Sequence, residues 1–245
     1  MILVFGGTTE GKKVAKILDE LEYPYYYSTK TKVDYEGKGI SINGVMTTSL
    51  LENFCKKHEI THIINASHPF AVQLHQMIAD ISMALPLIRF QRQFSPRILD
   101  QNVSYVDSFE EAIRYFNKNK YSSLLALSGV QTIAKLRTYW KNHLTWFRIL
   151  DRDSSRAIAD EAGFPKTKLL FGYPQSKTAE MELFTKLSPD IIFTKESGGN
   201  GKLEEKIAAA QALHIPIVIL KKPKISNRYL CIDTKAALIE MITNE

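Results

Sequence analysis

The sequence predicts an α/β protein made of two Rossmann-like lobes, each with a mainly parallel sheet, enclosing an interlobe cleft. Three observations carry that expectation. Short apolar runs alternate with amphipathic stretches of helical period along the whole chain, which is the signal of βαβ units. The alternation lapses once, in the polar, proline-containing stretch Gln91 to Gln101, and then resumes. Several apolar runs also end in turns of glycine, serine and threonine that lead straight into a helix. A chain of 245 residues can bury two cores of ordinary size, so the lobes are placed at residues 1–98 and 99–245.

The elements follow in order. Residues 1–98 offer strands at Ile2 to Phe5, Tyr25 to Ser28, His62 to Ala66 and Pro86 to Phe90, where aliphatic and aromatic residues run together. Amphipathic helices at Gly11 to Leu21, Ser49 to His58 and Phe70 to Met83 separate them. Residues 99–245 begin with strand Val103 to Val106, helix Phe109 to Asn117, strand Leu124 to Leu127 and helix Thr132 to Lys141. Strand Trp146 to Ile149, helix Arg156 to Ala162 and a short strand at Leu169 to Phe171 come next. The series closes with helix Lys177 to Leu187, strand Ile191 to Thr194, helix Lys202 to Leu213, strand Ile217 to Leu220 and helix Thr234 to Thr243.

Composition narrows the function classes. With 44% hydrophobic and 24% charged residues the chain reads as an ordinary globular protein, and no apolar run is long enough to cross a bilayer. The opening apolar run stops at Phe5 with no basic flank and no cleavage pattern, so a cytoplasmic location is expected rather than secretion. Cys55 and Cys231 are far apart and form no CxxC pair, so both are expected to be buried, reduced thiols. The net charge of +6 fits either a solvated basic surface or a site for a polyanionic small molecule. Basic residues fall in scattered pairs such as Lys12-Lys13 without interleaved aromatics, so no nucleic-acid partner is expected. Nothing in the sequence speaks to oligomeric state.

The opening turn, Gly6-Gly7-Thr8-Thr9-Glu10-Gly11, lies between the first strand and first helix. The dinucleotide fingerprint wants glycines at its first, third and sixth positions; Gly6 and Gly11 match, and Thr8 stands in the middle. The threonine hydroxyl could be offered to a phosphate oxygen, and the helix start favours an anion. On these residues alone a plain strand-to-helix turn stays equally open. After the second strand, Ser28-Thr29-Lys30-Thr31-Lys32 replaces the acidic residue that would hold a ribose 2′-OH. Hydroxyls and lysines suit a 2′-phosphate, hence NADPH before NADH; an exposed basic loop is the other reading.

Four further stretches bear on chemistry. His58-Glu59-Ile60-Thr61-His62 spells HExxH, but it runs into the β-branched Ile63-Ile64, so the two imidazoles would not share one helix face. It is read as a helix-to-strand junction, and no metal site is expected. Asn65-Ala66-Ser67-His68-Pro69-Phe70-Ala71 sits at the carboxyl end of a strand, where open parallel sheets form their ligand crevice. Ser67 and His68 are its candidate ligand contacts. In the second lobe, Ser128-Gly129 within LSGVQT and Lys195-Glu196-Ser197-Gly198-Gly199-Asn200-Gly201-Lys202 are turns of the same kind. The second of these has three glycines where a connection needs one.

Together ILVFGGTTEG, NASHPFA, LSGVQTI and the long block TKESGGNGKLEEKIAAAQALHIPIVILKKP resemble the precorrin-6A reductase family of cobalamin biosynthesis, in order and over nearly the whole chain. The sequence departs from the family pattern at Asn65, where Asp is common, and at Glu196 and Asn200 within the glycine-rich turn. The resemblance implies reduction of one carbon–carbon double bond in precorrin-6A, or its cobalt-containing counterpart, giving precorrin-6B, with hydride from a reduced nicotinamide. Its substrate would be a tetrapyrrole polycarboxylate, for which Arg89, Arg92, Lys195, Lys202, Lys221 and Lys222 are candidate partners.

Under that reading Gly6, Gly7, Thr8, Thr9 and Gly11 hold the pyrophosphate, Ser28, Thr29 and Lys30 the ribose end, and Ser128 and Gly129 the nicotinamide side. Ser67, His68, Lys195, Ser197, Gly198 and Gly199 face the substrate. The proton comes from water, from the substrate's carboxyl groups or from His68, the one candidate catalytic side chain. A bulky residue at Gly6 is expected to remove cofactor binding and leave the fold intact. Two rival readings stand beside it. Short-chain dehydrogenases need Tyr and Lys four apart on a helix, whereas Tyr26 and Lys30 lie on a strand and Tyr115 and Lys118 are three apart. The alternative from another class is a dinucleotide-binding redox sensor without catalysis, since fold alone does not give function.

Overall fold

The computed structural model describes residues 1–243. They form two compact units, Met1–Gln93 together with the chain from Pro223, and Phe94–Lys222. The first unit contains β1 (Ile2–Phe5), α1 (Thr9–Glu20), β2 (Tyr25–Thr29), β3 (Ile40–Asn43), α2 (Thr48–Lys57), β4 (His62–Asn65), α3 (Val72–Ala79) and β5 (Leu87–Phe90). The second contains β6 (Val103–Val106), α4 (Phe109–Lys118), β7 (Ser123–Ala126), α5 (Arg137–Trp140), β8 (Leu144–Ile149), α6 (Asp153–Glu161), β9 (Leu169–Phe171), α7 (Lys177–Leu187), β10 (Ile191–Lys195), α8 (Leu203–Ala212) and β11 (Ile217–Leu220). β12 (Tyr229–Ile232) and α9 (Lys235–Thr243) complete the chain.

Each unit is built on one six-stranded sheet, in the orders β12-β5-β4-β1-β2-β3 and β6-β11-β10-β7-β8-β9, and all the ladder pairings are parallel. Strands buried on both faces read as continuous apolar runs, which is why they stand out in the sequence. In β1 the pleat sends Val4 to a core with Val14, Leu18 and Leu238, and Leu3 to a core with Leu51, Ile63 and Ile78 on the other face. The second unit repeats this plan, with Leu125, Ile192 and Ile219 against Phe184 and Ile207.

The domain division differs from the one expected at residues 98 and 99. The chain leaves the first unit after Gln93 and returns to it at Pro223. β12 pairs in parallel with β5, Tyr229 opposite Leu87, and so occupies the sixth place of a Rossmann order. The reciprocal place beside β11 is filled by β6, Ile217 opposite Val103. Local sequence could not reveal this, because pairing partners are set by tertiary contacts.

Other expectations also change. β3 and β12 are additional to the expected strands, and both are edge strands: β3 breaks its isoleucines with Ser41 and Asn43, while β12 is a short apolar run, Tyr229 to Ile232, that directly precedes the last helix and has Leu230 and Cys231 exposed. Cys55 is buried as expected, but Cys231 lies on the β12 edge and is exposed. The helix expected at Thr132 to Lys141 is two 3₁₀ turns and the short α5. There the Thr132 hydroxyl donates to Gly129 O at 2.7 Å and the Trp140 indole N–H to Ile133 O at 2.7 Å, bonds that compete with a regular helical ladder. His58 ends α2 with its Nδ1 against the Tyr26 hydroxyl at 2.8 Å, Glu59 is left-handed at φ 49°, and His62 opens β4. HExxH is therefore a helix-to-strand junction. Among the described residues no helix is long and apolar enough to cross a membrane.

Candidate functional site

In the first sheet the winding direction reverses between β1 and β4, so ligand-bearing turns belong at their carboxyl ends. The turn after β1 is shaped by Tyr27. A Cβ on Gly6 would lie 2.2 Å from Tyr27 Cζ, and one on Gly11 would lie 2.7 Å from Gly6 Cα. The outer glycines thus let α1, β1 and the Tyr27 ring pack together, the role that the third fingerprint glycine has in general. Gly7 has φ +84°, and its N–H donates to the Tyr27 hydroxyl at 3.0 Å. The Gly6 N–H donates to Ser28 O at 2.9 Å.

Thr8 corrects one expectation. Its hydroxyl accepts from the Gly11 N–H at 3.0 Å as the α1 N-cap and donates its single proton to Ala66 O at 2.6 Å. That proton is spent within the protein, so the hydroxyl is a brace between the β1 and β4 turns and not a phosphate donor. The turn leads into the amino end of α1, with Thr9 in its first turn, where a helix start favours an anion. The Glu10 carboxylate in that same turn is buried and paired with Arg92 at 2.6 Å, which offsets its repulsion of an anion. Gly6 also proves unsuited to a bulky residue for a reason of fold, since the Tyr27 ring fills the space a side chain would need.

β2 ends at Thr29, the place where a dinucleotide fold meets the ribose. Ser28 and Thr29 are buried, and the Thr29 hydroxyl donates to Thr31 O at 2.8 Å. Lys30 and Lys32 beyond it are exposed.

After β4 a buried polar network fixes the NASHPF turn. Asn65 is fully buried; its Oδ1 accepts from the Ser67 hydroxyl at 2.7 Å, the Ser67 N–H at 3.2 Å and Arg89 Nη1 at 2.9 Å. Its Nδ2 donates to Tyr229 Oη at 3.1 Å and to His75 Nδ1 at 2.9 Å. His75 Nε2–H then donates to Pro69 O at 3.1 Å, so the ring is neutral. Burial, aided by the Arg89 charge, pushes its pKa down to about 4. Arg89, 2% exposed, also donates to the carbonyls of Asn65 and Ser67, both at 2.9 Å, and burial lowers its pKa to about 10. Ser67 and Arg89 therefore shape the turn. His68 is the exposed residue at its tip; its Nδ1 accepts the Phe70 N–H at 3.1 Å, which leaves Nε2 to carry the proton of the neutral ring.

The second sheet reverses between β7 and β10, and both glycine turns of that unit fall there. The two ends are joined by Leu127 N–H to Phe193 O at 2.7 Å and the Thr194 hydroxyl to Leu127 O at 3.1 Å. Gly129 has φ +84°, and a Cβ placed on it would meet nothing within 4 Å, so its backbone is open. Ser128 is buried, its hydroxyl 2.7 Å from Thr132 Oγ1. In the β10 turn Gly198 has φ +70°, and a Cβ on Gly201 would lie 1.8 Å from Ser197 Oγ. A Cβ on Gly199 would meet nothing within 4 Å, so it is the one glycine there that packing and backbone angle leave unexplained.

Charges in this unit sort the candidate carboxylate partners. Lys221 is paired with Asp107 at 2.8 Å, and the Lys222 ammonium lies 3.7 Å over the Phe94 ring. Lys202 is left-handed at φ 47° and starts α8. Lys195 ends β10 partly exposed, and burial lowers its pKa to about 8. Behind it sits a cluster missed in the sequence. Arg148 holds Glu180 through two bonds at 2.7 and 2.6 Å, and the 3% exposed Lys206 reaches Thr194 Oγ1 at 3.4 Å. Burial, then the Arg148 charge, lowers the Lys206 pKa to about 8. Its signal in the sequence is a lysine on the apolar stripe of α8, with Leu203, Ile207 and Ala210.

Comparison with known proteins joins these features. The family model described as precorrin-6x reductase CbiJ/CobK matches residues 1–243. A cobalt-precorrin-6A reductase of Methanocaldococcus jannaschii is 28% identical over 99% of this chain and 98% of its own. A precorrin-6A reductase of Rhodococcus erythropolis is 27% identical over 98% of this chain and 96% of its own. Among solved structures, CobK precorrin-6A reductase superposes with a TM-score of 0.76 at 20% identity, covering 99% of this chain and 96% of that one.

Proposed function

The chain belongs to the precorrin-6x reductase family, and from that premise we propose that it reduces precorrin-6A or its cobalt form with NADPH as hydride donor. The observation that carries the reading is the placement of the turns: in each unit the glycine- and hydroxyl-bearing turns meet at the sheet's switch point. The first unit fits a dinucleotide. Its first helix starts at the carboxyl end of β1, Gly7 takes the positive φ that the turn into it needs, and exposed Lys30 and Lys32 follow β2 where a 2′-phosphate would lie.

The bound cofactor supplies the hydride, and the chain supplies position. The first turn of α1 orients the pyrophosphate through its N–H groups and dipole, while Thr8 and Tyr27 keep that turn rigid. In the second unit the open backbone of Gly129 meets the nicotinamide side, and Lys195 with the Ser197 to Gly199 turn binds carboxylates of the macrocycle. His68 holds a proton on Nε2 at the tip of its turn and delivers it to the carbon next to the one that accepts hydride. Such an enzyme works in the cytoplasm, where tetrapyrrole intermediates and reduced nicotinamide are found.

The test is anaerobic oxidation of NADPH, and separately NADH, with precorrin-6A and with its cobalt form. Consumption of one nicotinamide per macrocycle, fastest with NADPH, is the expected result. Tight dinucleotide binding without turnover on either macrocycle would sink the reductase reading in favour of a sensor.

A further inference from the structure

Glu196 is the first residue after β10 and so the first of the glycine-rich turn, yet it is only 5% exposed and turns back into its own unit. Its N–H donates to Leu220 O at 2.8 Å, which continues the β10–β11 ladder by one residue. Its carboxylate is then shared. Oε1 accepts from Arg97 Nε at 2.8 Å, and Oε2 accepts from Arg97 Nη2 at 3.1 Å and from the Lys222 N–H at 2.8 Å. Burial pushes this carboxyl up, but Arg97 and the Lys222 N–H outweigh it and hold it below the ordinary value. A bidentate guanidinium fixes both distance and plane.

The partners mark two special pieces of chain. Arg97 lies in the segment by which the chain enters the second unit, which begins at Phe94; Lys222 is that unit's last residue. These incoming and outgoing segments are laced by further contacts. The Lys222 ammonium covers the Phe94 ring at 3.7 Å, the Ser95 hydroxyl donates to Glu204 at the start of α8, and Arg97 lies 5.3 Å over Tyr105. A cavity of about 160 Å³ opens beside them, lined by Phe94, Arg97, Glu196, Gly198 and Lys202. One carboxylate thus ties the glycine-rich turn to both ends of its unit.

We propose that Glu196 is a positioning residue: it sets the Ser197 to Lys202 turn for ligand and couples occupancy of that turn to the incoming and outgoing segments. The inference rests on the reading of this turn as a substrate contact. Ligand drawn onto the Ser197 and Gly198 backbone pulls on Glu196, and its two-sided hold on Arg97 and the Lys222 N–H passes that constraint to Phe94–Ile98 and Leu220–Lys222. Gly199 and Asn200 are exposed, whereas Glu196 is buried and held on both sides, so the anchored end of the turn is at Glu196.

The experiment is hydrogen exchange and steady-state kinetics on the full chain with NADPH and precorrin-6A, comparing wild type with Glu196→Ala, Glu196→Asp and Arg97→Ala. In wild type, substrate protects residues 197–202 and also 94–98 and 220–222. In Glu196→Ala, substrate still protects the turn, protection at the two segments is lost, and KM rises roughly tenfold with kcat changed far less. Glu196→Asp recovers part of both effects, and Arg97→Ala reproduces the loss at 94–98. Unchanged KM and unchanged protection in folded Glu196→Ala overturns the coupling. If wild-type residues 197–202 gain no protection from either ligand, the turn itself is misassigned, and the coupling falls with it. Should Glu196→Ala fail to fold, Arg97→Ala decides: retained protection at 94–98 refutes the proposal.

Discussion

The Tyr27 hydroxyl accepts the Gly7 N–H at 3.0 Å, while its ring occupies the space a side chain on Gly6 would need. In a plain fingerprint turn that N–H would be available to a pyrophosphate; here it is held by a strand residue of the same sheet. The turn is therefore preformed by packing. Gly6→Ala is expected to lower stability by about 1–3 kcal/mol through overpacking, read as a shift of the urea midpoint. Tyr27→Leu in the same chain recovers part of it. A neutral Gly6→Ala would show that the tyrosine yields freely.

Asn65 and His75 give a pH prediction. The His75 pKa in the fold, about 4, is below its ordinary 6.5, so the unfolded chain takes up the proton first. Stability is complete above about 6.5 and declines as pH falls toward 4, by up to about 3 kcal/mol. Asn65→Asp replaces the amide donor facing His75 Nδ1 with an acceptor and gives Arg89 a counter-charge. The His75 pKa should rise and the acid limb should flatten. Imidazole resonances followed by NMR titration report this directly, and an unmoved His75 would contradict the network.

Lys206 makes the opposite end of the pH scale informative. Its folded pKa of about 8 lies below the ordinary 10.5, so stability should rise as pH increases through that window. Lys206→Met removes the buried charge at nearly constant shape. At neutral pH the variant should be more stable by up to about 3 kcal/mol, with the alkaline rise abolished. Thermal unfolding from pH 7 to 10 measures both. Lower stability at every pH would mean that the contact with Thr194 outweighs desolvation.

On the proposed reading Lys30 and Lys32 separate the two nicotinamide donors. Replacing both with alanine should raise KM for NADPH roughly tenfold while leaving that for NADH nearly unchanged, because only the former carries a 2′-phosphate. Equal loss for both donors would remove the lysines from the ribose site. No loss for either would return Lys30 to Lys32 to an exposed basic loop.

Much of this is legible in the sequence because strands of a parallel sheet are buried on both faces and read as apolar runs. Ile2 to Phe5, Ile191 to Thr194 and Ile217 to Leu220 stand out that way, and the turns that follow strands lie at strand ends by simple order. β3 escapes because its exposed edge alternates isoleucine with Ser41 and Asn43; β12 is apolar, but its place in the first sheet is a pairing with distant β5 that local sequence does not show. Thr8, Ser67 and Arg89 can be named as site residues but not given their tasks, since the atoms that engage them come from Ala66, Asn65 and other distant positions.

The sequence by itself determined the fold class, the position of the candidate turns and the family, because periodicity, glycine spacing and motif order are properties of the linear chain. The tertiary structure alone decided which strand completes which sheet, and which polar atoms remain for a ligand. β12 joins β5 and β6 joins β11 because parallel pairing is a long-range choice. A hydroxyl has one proton, and only the folded chain shows that Thr8 has already given its proton to Ala66.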